Sequence, residues 1–561
     1  MSDNAPMHPR TQAPALKFIP LGGVGTFGMN CAILQWDESF ILIDAGVKFP
    51  QGNFPGVDLF LPDFTHVLEN AGQLKAIVLT HGHDDHIGAL PFLLNQLEVP
   101  VYGTAFTLAL VRERMTNGWS SDDLAGREFR QMLFGQILEV EDVSIEAVPA
   151  DHSIPDSASL IIRTPAGTVV HSGDFRLPEG DVAPHLEPLK EAGREGVDLL
   201  LCDSTNADRP GVTPHESEVT AALEGLFQET TGRIFVATFA SHVQRMSAVI
   251  RAAAASGRKV VLEGRRMIRN YEIASKLGYL VPEPSIVVSH GTLTEKETGS
   301  VVYLTTGTQG EPFSALSRIA RGEHPLIKAG PGDTVIFSSR MIPGNELAVG
   351  QNIDNLFRAG ATVHYQAPPK VHISGHGSAE EIAAMIRMVS PRHFVPVHGD
   401  YRNLVACANV ARDCGIMEDD IHILDPGQIL ELTPSGASTE GAVPAGRMLV
   451  DGSMIGSLAD PIIRDRRRMA REGVVVVAVS LPSRGKEFRE PVVSSRGVIV
   501  GPHGEELDLE AAGAARRVLK EWKGERSSLE TLEENLRSAV RGIYRKALDK
   551  RPTVLPVILE E

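Results

Sequence analysis

Residues 79–90 read LTHGHDDHIGAL and set three histidines and two aspartates in six consecutive positions, directly after the apolar run AIVL. From a loop, His81 and His83, two apart, can turn toward one point, while Asp85 and His86 face a second point beside it. Neutral imidazole and carboxylate are ligands that zinc accepts, and a catalytic zinc keeps one position open for water. Two ions about 3.5–4 Å apart can hold a hydroxide between them and clamp an in-line phosphoryl or acyl transition state. A polar loop capping the helix IGALPFLLNQL accounts for one aspartate but not for three histidines. Polar residues recur at the ends of other apolar runs: Asp44 closes FILIDAG, His152 lies in PADHSIPDS and Asp174 ends VVHSGD. One motif misleads. Gly23-Val-Gly-Thr-Phe-Gly28 spells the dinucleotide fingerprint, which needs a helix next; MNCAILQW follows, of strand character, so the glycines read as a tight loop between strands.

The elements that must position these groups fall into blocks. Short apolar runs and Gly-rich turns (LKFIPLGG, CAILQW, FILIDAG, AIVLTHGH, TVVHSGD, LLLCDST) fill the first part. From about 215 to 345 the pattern becomes strand then helix, with RIFVATF, KVVLEG, VVYLTTG and TVIFSSR as strands and SHVQRMSAVIRAAAAS as a helix, which reads as a parallel α/β unit. The first style then resumes in ATVHYQ, KVHISGHGS and HFVPVHGD, so the middle unit reads as an insertion. The expected division is a loose tail over 1–14, a core over 15–215 and 345–455, an inserted domain over 216–344 and a small α/β domain over 456–561. In the last, GVVVVAVSL is a buried strand, and 508–523 and 528–548 are helices, the second with Leu529, Leu532, Leu536, Val540, Ile543 and Tyr544 along one face.

Composition narrows the class. With 561 residues, 42% hydrophobic and 22% charged, the chain is a soluble globular protein of two or three domains. No run approaches a membrane span, the N-terminus has no apolar signal core, and Cys31, Cys202, Cys407 and Cys414 form no CxxC pair, which fits reduced thiols in a cytoplasm. A net charge of −17 argues against wholesale coating of nucleic acid. The stretch from Asp451 is near neutral, with 20 Lys/Arg against 18 Asp/Glu, and its cluster RDRRRMAR (464–471) is either a solvated helix face or a local basic track.

The succession Asp44, HxHxDH, His152, Asp174 resembles the metallo-β-lactamase superfamily, an α/β fold in which two sheets packed between helix layers (αββα) bring these loops to one edge. The resemblance implies His81, His83 and His152 on one metal, Asp85 and His86 on the second, Asp174 as the bridge and Asp44 orienting the ligands. Asp203 in LLLCDSTN, His376 in HISGHGS and His398 in VPVHGD look like motifs A, B and C of the β-CASP nuclease branch, whose extra domain is inserted where the α/β unit lies here. His398 would complete the second metal, and a histidine at motif C is associated with RNA substrates. GGVGTFGMN, HGHDDHIGALP, FASHVQR, SGHGSAEEI and the C-terminal EGVVVV together resemble the bacterial ribonuclease J family over nearly the whole chain. That resemblance implies two Zn2+ per chain, with Mn2+ or Mg2+ as substitutes. It also implies endonuclease and 5′-to-3′ exonuclease action on single-stranded RNA in RNA maturation and mRNA decay, leaving 5′-phosphate and 3′-hydroxyl ends. The expected partners are RNA with a 5′-monophosphate, a homodimer or homotetramer formed through the C-terminal domain, and an RNA-degradation complex in the cytoplasm, away from any membrane.

In this reading Asp85, Asp203 and His376 are catalytic: His376 protonates the leaving 3′-oxygen or stabilises charge on the phosphate, and Asp203 orients it. Asp203 could instead be a turn carboxylate in DSTN. The 5′-phosphate pocket is expected from Ser241, His242 and Arg245 and from Ser374, Gly375, His376, Gly377 and Ser378, as small residues and amides at helix starts. Ser241-x-x-Gln244 and Ser378-x-x-Glu381 also spell capping boxes, which need no ligand, and Arg245 could equally form a helix-surface salt bridge. Many relatives have Asn-x-His-Arg where this chain has His242-Val-Gln244-Arg245, which alters the expected 5′-end contacts. His372 is read as lying in a strand, where it packs or contacts residues that hold the ligands, and His171, His290, His364 and His393 as structural. A thioesterase or lactonase of the same superfamily leaves the insertion and motifs A to C unexplained, and a non-catalytic RNA-binding scaffold is at odds with the complete ligand set.

Overall fold

The computed structural model describes residues 15–50, 54–116, 126–177, 183–342, 344–457, 461–481, 489–498, 504–522 and 529–560. The expected tail over 1–14 lies outside them. Two compact units form: one runs to Phe49 and from Leu59 to Met448, the other comprises Pro50–Asp58 and the chain from Leu449.

The first unit contains an eight-stranded and a six-stranded mixed sheet. The six-stranded sheet shows how the sequence makes the layers. Along Leu199–Asp203 successive side chains alternate faces. Leu199 and Leu201 join a core shared with the eight-stranded sheet (Leu34, Ile41, Val78), while Leu200 and Cys202 join a second core under helices, with Leu189, Ile382, Met385 and Cys407. Both faces being apolar, the strand is buried throughout.

Strand direction then collects the polar ends. Gly167–His171, Leu199–Asp203 and His393–Val397 are mutually parallel, so Asp174, Asp203 and His398 emerge at one edge. Ser39–Ile43 and Leu74–Val78 are parallel in the other sheet, so Asp44 and the HGHDDH segment emerge together. The two edges are tied where the Ala158 amide donates to the Thr80 carbonyl at 3.0 Å. Gly46 is required by close approach, because a Cβ there would stand 1.6 Å from the Asp85 carbonyl oxygen. Asp44 (φ 60°) and His398 (φ 56°) both take the left-handed conformation that non-glycine residues seldom adopt, a strain typical of functional sites. The GxGxxG segment leads into the strand Cys31–Trp36, with no helix between.

A separate five-stranded sheet is wholly parallel, with Val260–Glu263, Val302–Thr305, Ile234–Ala237, Thr334–Phe337 and Thr362–His364 in spatial order. It reaches His364, past the return at 345 drawn from the change of sequence style, because Val363 pairs with Val335 and packs with Leu356 into the same core. The segment after it, around His372, is irregular rather than a strand.

In the second unit, Val474–Leu481 lies between the antiparallel Val492–Arg496 and the parallel Thr553–Glu560. Its inward residues Val475, Val477 and Val479 pack on the helices Gly504–Glu521 and Leu529–Leu548 through Ala511, Ala515, Leu519, Leu532, Leu536, Val540 and Tyr544. No helix among the described residues is long and apolar enough to cross a membrane.

Candidate metal centre

Side chains from six segments (81–86, 152, 174, 203, 376 and 398) converge at the shared edge of the two large sheets. In the first group, His83 Nδ1 lies 3.0 Å from His81 Nε2 and 3.1 Å from His152 Nε2. Asp174 Oδ2 lies 3.5 and 3.6 Å from the same two Nε2 atoms. Four ligand atoms bonded to zinc at 2.0–2.1 Å would stand about 3.3 Å apart along the edges of a tetrahedron. The observed separations bracket that length. His152 Nδ1 faces the Gly375 carbonyl at 2.7 Å, so that nitrogen carries the proton and Nε2 presents its lone pair to the cluster. Gly375 is needed there, since a Cβ would come within 2.8 Å of the His152 ring.

The second group comprises Asp85, His86 and His398. His398 Nε2 is 3.2 Å and His86 Nε2 3.8 Å from Asp85 Oδ2. Asp174 Oδ2 is 3.4 Å from His86 Nε2, so one carboxylate oxygen lies against imidazoles of both groups. Asp44 accepts from His86 Nδ1 at 2.8 Å and from the Thr80 amide and hydroxyl at 2.8 and 2.7 Å, which leaves His86 Nε2 for the cluster.

Charge in the site follows from this crowding. Burial pushes the His81 and His152 imidazoles well below their usual range and His83 to about 4, so all three are neutral, the form in which an imidazole can bind a metal. Burial works in the same direction on His86 and His398, but Asp174 and its neighbouring acids outweigh it, raising His86 and lifting His398 to about 10. For Asp85, Asp174 and Asp203 burial alone would raise the carboxyl; the adjoining imidazoles reverse this and hold each below the ordinary carboxylate range. A buried cluster of acids that draws protons onto three histidines, His86, His376 and His398, is one that favours cations, and its imidazole and carboxylate donors fit transition-metal ions.

Beside the groups stands His376. Its Nδ1 is 2.7 Å from Asp203 Oδ2, while Asp203 Oδ1 accepts from the Thr205 amide at 2.9 Å and lies 3.4 Å from His398 Nδ1. Asp203 therefore both closes a turn and orients imidazoles. His376, Asp203, Asp174 and His398 are also close enough to form a third candidate ligand set, which shares Asp174 and His398 with the other two. Its loop is pinned from behind: Asn206 Nδ2 donates to Ser374 Oγ (2.8 Å) and to the His376 carbonyl (2.9 Å), and Glu381 accepts from the amides of Leu177, Thr213 and Ser378 at 2.9, 2.6 and 2.9 Å. Gly377 donates to the Phe175 carbonyl at 2.6 Å.

The remaining expected residues divide. Ser378 begins the helix Ala379–Val389 with Glu381 reaching back to its amide, as the capping pattern required. The helix Val243–Ala255 is capped by His242, whose Nδ1 accepts from the Arg245 amide at 3.4 Å, and not by Ser241, which is half-buried one residue earlier. Arg245 is not a surface cation: it is fully buried, held by Glu216, Ser338 and the Val371 carbonyl, because an unpaired guanidinium cannot stand inside a core. Sequence reading missed Asn30, Thr80, Thr205 and Asn206. Asn30 Nδ2 lies 2.9 Å from His86 Nε2 and donates to the Asp85 carbonyl at 3.2 Å, yet a lone Asn before a strand carries no spacing signal.

Residues 40–232 match the beta-lactamase superfamily domain and 365–423 the Zn-dependent metallo-hydrolase RNA specificity domain. Residues 231–356 match the ribonuclease J beta-CASP domain and 461–561 the ribonuclease J C-terminal domain. Ribonuclease J2 of Bacillus subtilis is 34% identical over 97% of this chain and 98% of that protein. The chain belongs to the ribonuclease J family. Ribonuclease J of Thermus thermophilus is 38% identical over 97% of this chain and 95% of its own, and that of Mycobacterium tuberculosis 39% over 93% and 97%. Among solved structures, a protein of unknown function from Enterococcus faecalis superposes with a TM-score of 0.53 at 18% identity, covering 74% of this chain and 100% of that one, which shows the fold alone. Family membership joins the metallo-β-lactamase fold, the β-CASP insert and the histidine–aspartate groups into one metal-dependent ribonuclease architecture.

Proposed function

We propose that this chain hydrolyses phosphodiester bonds of single-stranded RNA with two divalent ions, zinc by the softness of its imidazole donors and Mn2+ or Mg2+ as substitutes. The products are 5′-phosphate and 3′-hydroxyl ends, from internal cuts and from 5′-to-3′ degradation in RNA maturation and mRNA decay. The observation that carries this reading is Asp174 Oδ2, set 3.4–3.6 Å from His81, His86 and His152 at the junction of two ligand groups.

His81, His83 and His152 would hold one ion, Asp85, His86 and His398 the other, and Asp174 both. Bound there, the ions supply Lewis acidity to water and to the phosphoryl oxygens. The protein supplies position. Asp44 and the Gly375 carbonyl fix the rings of His86 and His152 through their distal nitrogens. Asp203 fixes His376 through Nδ1, leaving Nε2 to donate a proton to the departing 3′-oxygen. Preference for a 5′-monophosphate would rest on the hydroxyls of Ser241 and Ser378, without Arg245 and without the amides of Ser378, Ala379 and Glu380, which are given to Glu381, Arg209 and Gly211. The C-terminal domain would support a homodimer or homotetramer, within reach of RNA-degradation partners in the cytoplasm.

The test is a 5′-labelled single-stranded RNA incubated with and without chelator, with Asp203→Asn beside the wild type. Cleavage should stop on chelation and return with zinc, and Asp203→Asn should lose about 10²-fold in kcat with little change in KM. Cleavage indifferent to chelation would refute the assignment.

A further inference from the structure

Outside the metal groups the first unit holds a cavity of about 220 Å3 in the inserted domain and the segment that follows it. A water takes about 30 Å3 of liquid, so this is room for some seven waters or one planar heterocycle. The interior is apolar and aromatic, with Phe337 and Tyr365, and Arg340, Lys370 and His372 add three nitrogen-bearing groups. His372 Nδ1 is buried with no hydrogen-bond partner among the described residues.

The cationic groups are available. Arg340 has no carboxylate in ion-pair range among the described residues, its Nη1 donating only to the Asn206 side-chain oxygen at 3.2 Å. Lys370 pairs with Glu218 at 2.8 Å, but both are exposed, so that bond competes with water and is worth little. Through Asn206, Arg340 is joined to Ser374 Oγ and to the carbonyl of His376, so the cavity backs onto the loop of the proposed acid.

These features combine two ways in which single-stranded nucleic acid is held: an aromatic and apolar space for a base, and cations for phosphate. We propose that the cavity is a nucleotide subsite, in which a base lies against Phe337, Tyr365 and the His372 ring and its phosphate lies on Arg340 and Lys370. Burial together with Arg245, Arg340 and Arg209 pushes the His372 imidazole down to about 3, so the ring lining the cavity is neutral. The subsite rests on the RNA-hydrolase reading if the nucleotide is part of a substrate strand, and stands apart from it if the nucleotide is free.

Full-length metal-loaded protein is compared with Gln366→Trp and Ala367→Trp, two exposed lining positions where a large ring would block the cavity without touching a core. AMP and ribose 5-phosphate are titrated by calorimetry, KM is measured on an unstructured RNA, and turnover of bis(p-nitrophenyl) phosphate reports the metal site. AMP should bind the wild type at least about tenfold more tightly than either variant and more tightly than ribose 5-phosphate, with bis(p-nitrophenyl) phosphate turnover equal in all three. A parallel rise in KM for RNA assigns the subsite to the strand; an unchanged KM, with AMP altering RNA cleavage in the wild type only, assigns it to free nucleotide. Equal AMP affinity in all three proteins overturns the subsite. Absence of metal-dependent turnover in the wild type refutes the hydrolase reading instead, and the AMP titration still decides the subsite.

Discussion

Glu216 and Arg245 form a buried two-pronged ion pair, with Nε 2.6 Å from Oε1 and Nη2 3.0 Å from Oε2. It joins the helix Glu216–Glu229 to the helix Val243–Ala255, and Arg245 also holds the carbonyls of Ser338 (3.2 Å) and Val371 (3.0 Å). Removing one partner strands the other charge in the core, at about 3–5 kcal/mol. Arg245→Ala should therefore lower the unfolding midpoint sharply and leave KM for 5′-monophosphorylated RNA little changed in protein that remains folded. A raised KM at unaltered stability would return Arg245 to the phosphate.

The shared position of Asp174 separates two kinds of ligand loss. His83→Ala removes a donor from one group, so elemental analysis should find one ion reduced, whereas Asp174→Ala should reduce both. RNA hydrolysis should fall by orders of magnitude in each, with the circular dichroism of the fold retained. Chelation of the wild type should lower its melting temperature and zinc should restore it, because the native state alone binds the ions. Full activity in Asp174→Ala would defeat the bridging role.

How much of this was legible in the sequence depended on whether spacing alone carried the information. HxHxDH and the acids closing apolar runs show themselves because alternation fixes where each strand ends and parallel pairing sends the ends to one edge. The insert was legible from its change of period, but its far limit was not, since the short strand Thr362–His364 resembles the core strands that follow. Arg245 and Asn30 were misread or missed for one reason: their roles are set by partners 29 and 55 positions away, and nothing local distinguishes a buried guanidinium or amide from an exposed one.

His422 offers a pH test away from the metals. Partial burial and the neighbouring His393, 3.4 Å away, press its imidazole to about 4 against a usual 6.5. The unfolded chain takes up this proton first as pH falls, so the stability from the neutral ring is complete above pH 6.5 and is lost progressively toward pH 4. Between pH 7 and 4.5 the urea midpoint of the wild type should drop further than that of His422→Gln. Equal drops would show that His422 carries none of the acid sensitivity.

The edge strand Thr553–Glu560 alternates inward-facing residues with an exposed apolar row. Val554 is buried against the C-terminal helices, while Leu555, Val557 and Leu559 are 45%, 41% and 57% exposed. Val492, on the strand at the opposite edge of the sheet, is 66% exposed. Period-two alternation puts Leu555, Val557 and Leu559 on one face, and an apolar row of this kind marks an interaction surface more often than a solvated one. A charge there need not disturb the core, whose residues point the other way. Val557→Glu combined with Leu559→Glu should leave metal content and cleavage of a very short oligonucleotide unchanged while shifting the protein toward monomer in light scattering. Affinity for long RNA should fall with the lost second copy, and the salt dependence of binding should become shallower as fewer phosphates are contacted at once. A variant that keeps the wild-type mass and salt slope would show that this sheet face is not where copies meet.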